Sequence, residues 1–292
     1  MSAPDLSNEP YAIAEQVSPL VRRVLARNAS PFSYTGTQTY IVGHGDVAVI
    51  DPGPLGDDPE HVGALAAILA GEHVVAIMCT HTHRDHSPAA GPLAKATGGA
   101  VIGCAPLVIE DDGPRSDASF DRSYAPDRVL TDGDQVHGSG WTLTAVHTPG
   151  HTSNHLCFAL EEEKALFSGD HVMGWSTTVV SPPDGDMAAY MRSLTLLVER
   201  DDAIYYPAHG PAVDNPQRLA RGMMLHRKQR ENQILKLLGE QVKAIPAMVA
   251  VMYKSVDKRL HPAAGRSVLA HLLDLQDRGV VRTLGTDWEL AA

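Results

Sequence analysis

A dense group of histidine and aspartate side chains follows a short apolar run near residue 80. Residues 74–79 are apolar throughout and predict a buried strand, and the next segment contains His81, His83, Asp85 and His86. Imidazole nitrogens and carboxylate oxygens are the groups that bind Zn²⁺ and similar divalent ions. The two histidines at positions 81 and 83 point to the same side of an extended backbone, while the last two residues follow a turn and face a second position. The stretch therefore predicts a metal site at the end of a core strand, where open α/β sheets place their sites.

Three later segments repeat the order of apolar strand, then histidine or aspartate, then a position near glycine or proline. They supply His151 after a strand at 141–146, Asp170 after 165–167, and His209 after 203–206. Partners elsewhere in the chain are what distinguish a metal site from a solvated, histidine-rich loop. Four strand ends that present ligands in this way predict a site for two metal ions.

The order and spacing of these residues resemble the metallo-β-lactamase superfamily over residues 30–215, with the motif H-x-H-x-D-H at positions 81–86. The resemblance implies an α/β (α+β) fold, a four-layer αββα sandwich with the metals between the edges of two sheets. It also implies a ligand set in which one ion is held by His81, His83 and His151, the other by Asp85, His86 and His209, with Asp170 between them. The true β-lactamases of the superfamily have cysteine where this chain has Asp170, which disfavours a dedicated β-lactamase.

Two such ions hold a water or hydroxide between them and lower its pKa, to about 7 in favourable zinc cases, which makes a nucleophile at neutral pH. Two Zn²⁺ per chain are the default expectation, and a histidine and aspartate set also suits manganese or iron. Asp85 is the candidate catalytic residue, since one carboxylate oxygen can bind metal while the other orients the nucleophile. The chemistry predicted is hydrolysis of an ester, thioester, amide or phosphodiester.

Several shorter patterns predict the elements that position these residues. We expect strands at 21–25, 36–43 and 47–50, with residues 1–30 otherwise an N-terminal extension, and helices that start near Asp58 and at 88–97, the second capped by Ser87. Asp51 is predicted either to accept a ligand histidine N–H or to cap a turn. Residues 110–128 predict a long surface insertion near the mouth of the site.

Other polar residues near the candidate ligands are expected to have supporting roles. His147 and His155 are predicted to be structural, and His171 to lie behind the site. Tyr190, in a helix predicted at 187–194, is expected to pack in the interior or, as the alternative, to contact substrate.

The C-terminal quarter predicts three helices followed by a β-hairpin, which is the order of a winged helix. The first helix opens at Pro216 and ends near Gly239, and the hairpin turns at Gly285. We therefore expect a hydrolase domain at 1–215 and a helical, winged-helix-like domain at 216–292. With the basic stretch at 226–235, this module resembles the β-lactamase-like protein 2 group, whose characterised members cleave single-stranded RNA.

The formal net charge of −11 conceals a division along the chain. Residues 218–292 contain thirteen lysines and arginines against seven acids, a balance of +6, so the remainder carries −17. This excess predicts either an anionic partner for the C-terminal module or an ordinary solvated helical surface. On the first interpretation Arg227, Lys228 and Arg230 form an exposed guide for substrate.

Cysteine usage and hydropathy bear on the compartment. The three cysteines lie in apolar contexts and read as buried thiols in a reducing cytoplasm, and neither a signal peptide nor a membrane span is apparent.

Three functions remain open on the sequence. The leading hypothesis is a binuclear metal-dependent hydrolase that uses a metal-bridged hydroxide, with single-stranded RNA as one candidate substrate. The second is a glyoxalase-like thioesterase or another hydrolase of small esters or lactams. The third is a nucleic-acid-binding winged-helix protein with a vestigial metal site, against which the complete ligand set argues. The acidic main domain argues against an extended nucleic-acid groove, and the winged helix also suits packing or homodimer formation.

Overall fold

The computed structural model describes residues 6–56, 58, 60–107, 109 and 120–291, and the strands in these ranges form two large sheets. The first sheet has seven strands in chain order: β1 (Ala14–Gln16), β2 (Val21–Leu25), β3 (Gln38–His44), β4 (Asp46–Ile50), β5 (His73–Cys79), β6 (Ala100–Gly103) and β7 (Arg128–Val129). The second has five: β8 (Gln135–Gly138), β9 (Trp141–His147), β10 (Leu156–Leu160), β11 (Ala165–Gly169) and β12 (Ile204–Pro207). The strand predicted at 21–25 is confirmed, but it and β1 belong to the first sheet, so the expected N-terminal extension is largely part of the fold.

The two sheets pack face to face through apolar side chains that alternate along their strands. In β10, Leu156, Phe158 and Leu160 belong to the core cluster shared by both sheets, while Cys157 and Ala159 belong to a second cluster on the other face. Aromatic contacts join the layers, since the ring of Tyr40 on β3 lies 5.2 Å from Phe167 on β11 and 5.5 Å from Tyr206 on β12. All five residues of β10 are buried, and their alternation between the two clusters shows that both faces of the second sheet are covered.

Helices cover the outer faces and complete the predicted αββα sandwich. Helices α1 (His61–Ile68) and α2 (Ala90–Thr97) pack on the first sheet through Leu65 and Leu93. Helices α3 (Met187–Glu199) and α4 (Pro216–Gly239) pack on the second sheet. The expected fold class is confirmed.

The predicted helix cap at Ser87 is wrong, and the helix expected to start near Asp58 begins three residues later; both side chains have other partners. The Ser87 hydroxyl donates to Asp121 over 3.1 Å rather than to the first turn of α2. The Asp58 carboxylate accepts from the backbone N–H of Arg27 at 2.7 Å, and α1 begins only at His61. A long-range contact therefore takes the place of the predicted cap at Ser87, and the Asp58 side chain also has a partner far away in the sequence.

The C-terminal elements have the predicted order. Helices α5 (Ile245–Met252) and α6 (His261–Asp277) precede strands β13 (Val281–Leu284) and β14 (Asp287–Leu290), which pair as a hairpin. They surround a third cluster with the second half of α4, whereas Ala220 and Met223 in its first half belong to the second cluster. One helix is thus shared by the sandwich and the C-terminal module.

The predicted insertion at 110–128 falls partly outside the described residues, which resume at 120. From there the chain packs beside the histidine-rich segment. Phe120 forms a β-bridge with His83, and the N–H of Asp121 donates to Thr82 over 2.6 Å. Both Phe120 and Asp121 are buried. Within the described ranges, no helix combines the length and the apolar character needed to cross a membrane.

Candidate metal centre

Strand ends from both sheets bring the candidate residues to one edge of the sandwich. Strands β4 and β5 run parallel and lead into Asp51 and the segment that starts at His81. Strands β11 and β12 also run parallel and lead into Asp170 and His209. Since parallel strands end at the same edge, these side chains meet there.

All seven predicted ligands come together, in two adjacent groups. Within each group one ligand atom per residue lies within 4.8 Å of the others; the groups are His81, His83, His151 and Asp170, and Asp85, His86 and His209. In the first group, Nδ1 of His83 lies 2.9 Å from Nε2 of His81 and 3.0 Å from Nε2 of His151. In the second, Nε2 of His209 lies 3.2 Å from Oδ2 of Asp85. Each group converges as the ligands of a metal ion do.

Asp170 lies between the two groups. Its Oδ2 is 3.5 Å from Nε2 of His151, while its Oδ1 is 3.3 Å from Nε2 of His209 and 3.6 Å from Nε2 of His86. One oxygen of this carboxylate therefore faces the first group, and the other oxygen faces the second group.

Hydrogen bonds on the far side of the imidazoles fix which nitrogen faces inward. Nδ1 of His86 donates to Oδ2 of Asp51 at 3.0 Å, and Nδ1 of His151 donates to the carbonyl of Val179 at 2.6 Å. Nδ1 of His209 faces the carbonyl of Gly36 at 3.2 Å. Because these acceptors cannot donate, the neutral form of each ring, which is the form that binds metal, carries its lone pair on an Nε2 that points into the site.

Asp51 also fixes His81, through Thr80. Oδ1 of Asp51 accepts from the Thr80 N–H and Oδ2 from the Thr80 hydroxyl, both at 2.8 Å. With its proton committed to Asp51, the Thr80 oxygen accepts from Nδ1 of His81 at 3.0 Å. The expected role of Asp51 as a histidine acceptor is confirmed. Asp51 is almost fully buried and has a left-handed φ of +50°.

Buried atoms without hydrogen-bond partners show that the site suits a cation. Nε2 of His86, Oδ1 of Asp85 and Oδ1 of Asp170 are buried and have no hydrogen-bond partner among the described residues. Leaving such atoms unpaired is costly. Since all are lone-pair donors of the types that divalent ions bind, the residues present fit metal ions.

The electrostatics reflect opposed charges held close together. Burial raises the pKa of Asp85 and Asp170, but nearby histidines, His86 and His209 in particular, outweigh it and hold both carboxyl pKa values below their usual range. Burial disfavours protonated His86 and His209, yet the carboxylates raise the pKa of both rings. Burial and the neighbouring His151 lower the pKa of His83 to about 3. Burial and neighbouring histidines thus disfavour positive charge on His81 and His83, whereas the carboxylates favour it on His86 and His209.

Close backbone approaches shape the site around two glycines. A Cβ on Gly150 would lie 2.3 Å from the Cα of Tyr190, and one on Gly169 would lie 2.6 Å from Nε2 of His155. The same His155 nitrogen accepts the Asp170 N–H at 3.3 Å, so His155 supports that residue as the structural prediction required. Tyr190 is fully buried and donates to the His171 carbonyl at 3.1 Å, which confirms its packing role.

Sequence reasoning missed several supporting groups. The carbonyls of Gly36 and Val179 leave no signal in a sequence, because every residue has a carbonyl. Thr80 did have a signal, since its hydroxyl lies directly between the strand end and His81.

The predicted basic guide is wrong for Arg227. This residue is only 3% exposed, and its guanidinium donates to the Thr178 carbonyl. Lys228 pairs with Glu231 at 2.5 Å, and the Arg230 guanidinium lies 4.5 Å from the centroid of the Tyr253 ring. The stretch is therefore a packed helix surface rather than a free row of cations.

Comparisons with known proteins agree with this geometry. The family model described as "Metallo-beta-lactamase superfamily" matches residues 34–209, and "Beta-lactamase associated winged helix domain" matches 244–288. The chain is 33% identical over 228 residues to the Beta-lactamase-like protein 2 homolog of Caenorhabditis elegans, covering 77% of this chain and 73% of that one.

One further relative and one solved structure match over almost the whole chain. The atrochrysone carboxyl ACP thioesterase of Aspergillus chevalieri is 31% identical over 286 residues, covering 97% of this chain and 86% of that one. A beta-lactamase domain protein from Burkholderia ambifaria has the same fold, with a TM-score of 0.79 at 19% identity over 97% of this chain and 94% of that one. The chain belongs to the metallo-β-lactamase superfamily and is an enzyme of its hydrolase class with an associated winged-helix domain.

Proposed function

We propose that this protein is a two-metal hydrolase that cleaves thioesters. The observation that carries the proposal is the convergence of seven buried or half-buried side chains into two adjacent groups, with Asp170 facing both. In this proposal His81, His83 and His151 hold one ion, and Asp85, His86 and His209 hold the other. Zinc is the default metal, and the nitrogen and oxygen set also suits manganese or iron.

The side chains have distinct roles around the reacting bond. Such a pair of ions, when bound, supplies a water of lowered pKa and positive charge opposite the scissile bond. Asp85 is the proposed catalytic residue, because its Oδ2 faces His209 and leaves the buried Oδ1 to hold and orient the attacking water. Asp51 and the carbonyls behind the imidazoles keep the ring nitrogens aimed into the site.

Aromatic side chains beside His209 support an acyl substrate. The rings of Tyr34 and Trp175 stack with centroids 5.0 Å apart, and a Cβ on Gly210 would meet Trp175 at 2.5 Å. Phe32, two residues from Tyr34, keeps 40% of its surface exposed. An apolar wall next to a metal site suits the acyl part of a thioester. The thioesterase name of a relative that matches almost the whole chain points the same way.

Single-stranded RNA is the second candidate. The +6 balance of residues 218–292, the match to a winged-helix family model and the resemblance to the β-lactamase-like protein 2 group favour it. Against it, phosphate affinity comes largely from accessible basic side chains, and Arg227 is buried while Lys228 is paired.

A substrate panel separates these candidates. We expect an acyl thioester to be cleaved with a kcat/KM at least about a hundredfold above the values for an unstructured RNA oligonucleotide, a lactone and a chromogenic lactam. A thioester lacks strong resonance, and the apolar wall accommodates its acyl group. Release of free thiol and of RNA fragments is measured with the same preparation, and the Asp170→Ala protein controls for contaminants. RNA cleavage that exceeds thioester cleavage would reverse the ranking, and no hydrolysis in any arm would refute both.

The acceptor behind His86 provides a second test. In the Asp51→Asn protein the side chain keeps one oxygen and has an amide NH₂ in place of the other. Either Thr80 or His86 then faces an amide N–H instead of an acceptor. We expect Zn²⁺ affinity to fall about 10–100-fold, the usual effect of removing such a partner. Competition with a chromophoric chelator measures it. Asp46→Asn, which alters an exposed aspartate–histidine pair at 2.9 Å, is the matched control and should bind as wild type does. Equal binding by both variants would contradict the role of Asp51.

Organisation and compartment are part of the same proposal. We place the boundary between the hydrolase domain and the C-terminal domain at residues 215 and 216, the start of α4. The buried, unpaired thiols of Cys79, Cys104 and Cys157 support a reducing cytoplasm. A homodimer through the C-terminal domain is the assembly we would look for by light scattering.

A further inference from the structure

Arg227 is a cation in the interior of the protein whose hydrogen bond goes to an uncharged carbonyl. It lies on α4, where its guanidinium donates to the Thr178 carbonyl and sits 5.2 Å from the centroid of the Tyr190 ring. Among the residues that the structure describes, no carboxylate forms an ion pair with it, and its Nε has no hydrogen-bond partner. The buried His271 on α6 is also without a hydrogen-bond partner for either ring nitrogen among the described residues.

Burial of this kind is hard to explain by stability. Removing a guanidinium from water is costly unless acceptors or counter-ions replace its hydration, and here a single carbonyl and an aromatic face do so. An apolar residue would pack α4 into the second cluster at lower cost, as Met223 and Ala220 do one and two turns earlier. The contact with Thr178 is therefore the feature to explain.

The segment that Arg227 holds lies directly behind the first group of ligands. The Val179 carbonyl accepts from Nδ1 of His151 at 2.6 Å. The Thr178 hydroxyl donates to the Asp170 carbonyl at 2.7 Å. Two consecutive residues thus orient one imidazole and the backbone of the carboxylate between the two groups.

We propose that Arg227 is a positioning residue of the metal centre, which acts through Thr178 and Val179 on His151 and Asp170. The proposal rests on the function proposed above. By fixing the Thr178 carbonyl, the guanidinium restricts rotation of the backbone that presents the Val179 carbonyl. The helix shared with the C-terminal domain thereby becomes part of the scaffold of the metal site.

Zn²⁺ binding to the full chain tests this directly. Arg227→Met is expected to lower the Zn²⁺ affinity of the first group of ligands about 10–100-fold, as loss of an outer-shell hydrogen-bond partner does. The site at Asp85, His86 and His209 should keep an affinity near that of the wild type. Arg227→Lys keeps the charge and one donor and is expected to restore much of the loss. Affinities come from competition between the metal-stripped protein and a chromophoric chelator, which needs no turnover.

Two control variants separate positioning from general stability. Leu238→Ala removes a buried side chain from the third cluster on the same helix, so it lowers the unfolding temperature and should leave Zn²⁺ binding unchanged. Arg221→Met removes an exposed arginine from α4 and should alter neither. If Arg227→Met does not fold, Arg227→Gln takes its place.

Each outcome decides the proposal. Wild-type affinity for both ions in the neutral Arg227 variants would overturn it, and so would an equal loss in Leu238→Ala. If no neutral variant folds, Arg227 is required for the stability of the fold rather than for positioning the ligands, and the proposal is overturned. A wild-type chain that binds no Zn²⁺ would overturn the proposed function as well, whereas normal wild-type binding with unaffected Arg227 variants overturns this inference alone.

Discussion

Replacing Asp170 with alanine is expected to abolish hydrolysis while the fold persists. The carboxylate faces His151 with one oxygen and His86 and His209 with the other, so its loss disrupts both groups at once. Metal assistance contributes several kcal/mol to the transition state, and losing about 4 kcal/mol lowers kcat/KM roughly a thousandfold. Asp85→Ala should have a similar effect, because it removes the residue that orients water.

Steady-state kinetics and thermal unfolding of each variant measure the two parts of this expectation. Asp184→Ala is the matched control, since this aspartate accepts from the Ser153 N–H at 3.2 Å and lies outside both groups. It should retain activity. Where an alanine variant unfolds, the isosteric Asp170→Asn separates loss of function from loss of fold. Wild-type turnover in any folded Asp170 or Asp85 variant would refute the proposed roles.

The second large effect concerns metal content. We expect two transition-metal ions per chain, because two groups of nitrogen and oxygen ligands lie side by side and share Asp170. Removing the metal with a chelator should abolish turnover, and adding back about two equivalents of Zn²⁺ should restore it. Since ligands that bind only the folded state stabilise it, free Zn²⁺ at a hundred times Kd should add about 2.7 kcal/mol per site.

Elemental analysis and calorimetry test the number of ions. The exposed His73→Ala serves as a control for adventitious histidine binding and should keep the wild-type stoichiometry. One ion at most after reconstitution with excess metal would refute the binuclear proposal. Full activity in the stripped protein would refute the metal-dependent mechanism altogether.

The sequence predicted much of this architecture because periodicity and strand ends are local signals. An apolar run followed by His81 leaves little choice about which end of β5 presents ligands. The long helix was also predictable, since Pro216 suits its first turn and Gly239 its end. The Ser87 cap and the first residue of α1 were less predictable, because the side chains of Ser87 and Asp58 have partners far away in sequence.

Arg227 shows why the remainder was missed. Its charge and its polar neighbours in the sequence predict a solvated surface. Its position gave the opposite signal: the buried residues of α4 recur at helical spacing of three or four, namely Ala220, Met223, Arg227, Glu231, Ile234 and Leu238. For Arg227, the position on the buried face of the helix predicts burial better than the charge of the side chain does. The acceptor role of the Gly36 and Val179 carbonyls could not be predicted. Every residue has a carbonyl, and only the folded structure shows which of them face a histidine.

The left-handed backbone of Asp51 has a consequence for the evolution of this enzyme. A non-glycine residue in that region is strained by roughly 1–2 kcal/mol, even though aspartate tolerates it better than most residues. Glycine would relieve the strain but would remove the acceptor for Thr80 and His86 together. Selection for a hardier fold and selection for turnover therefore pull this position in opposite directions. A family member released from catalysis would gain stability from glycine at this position, so we expect aspartate here in members that keep the metal site.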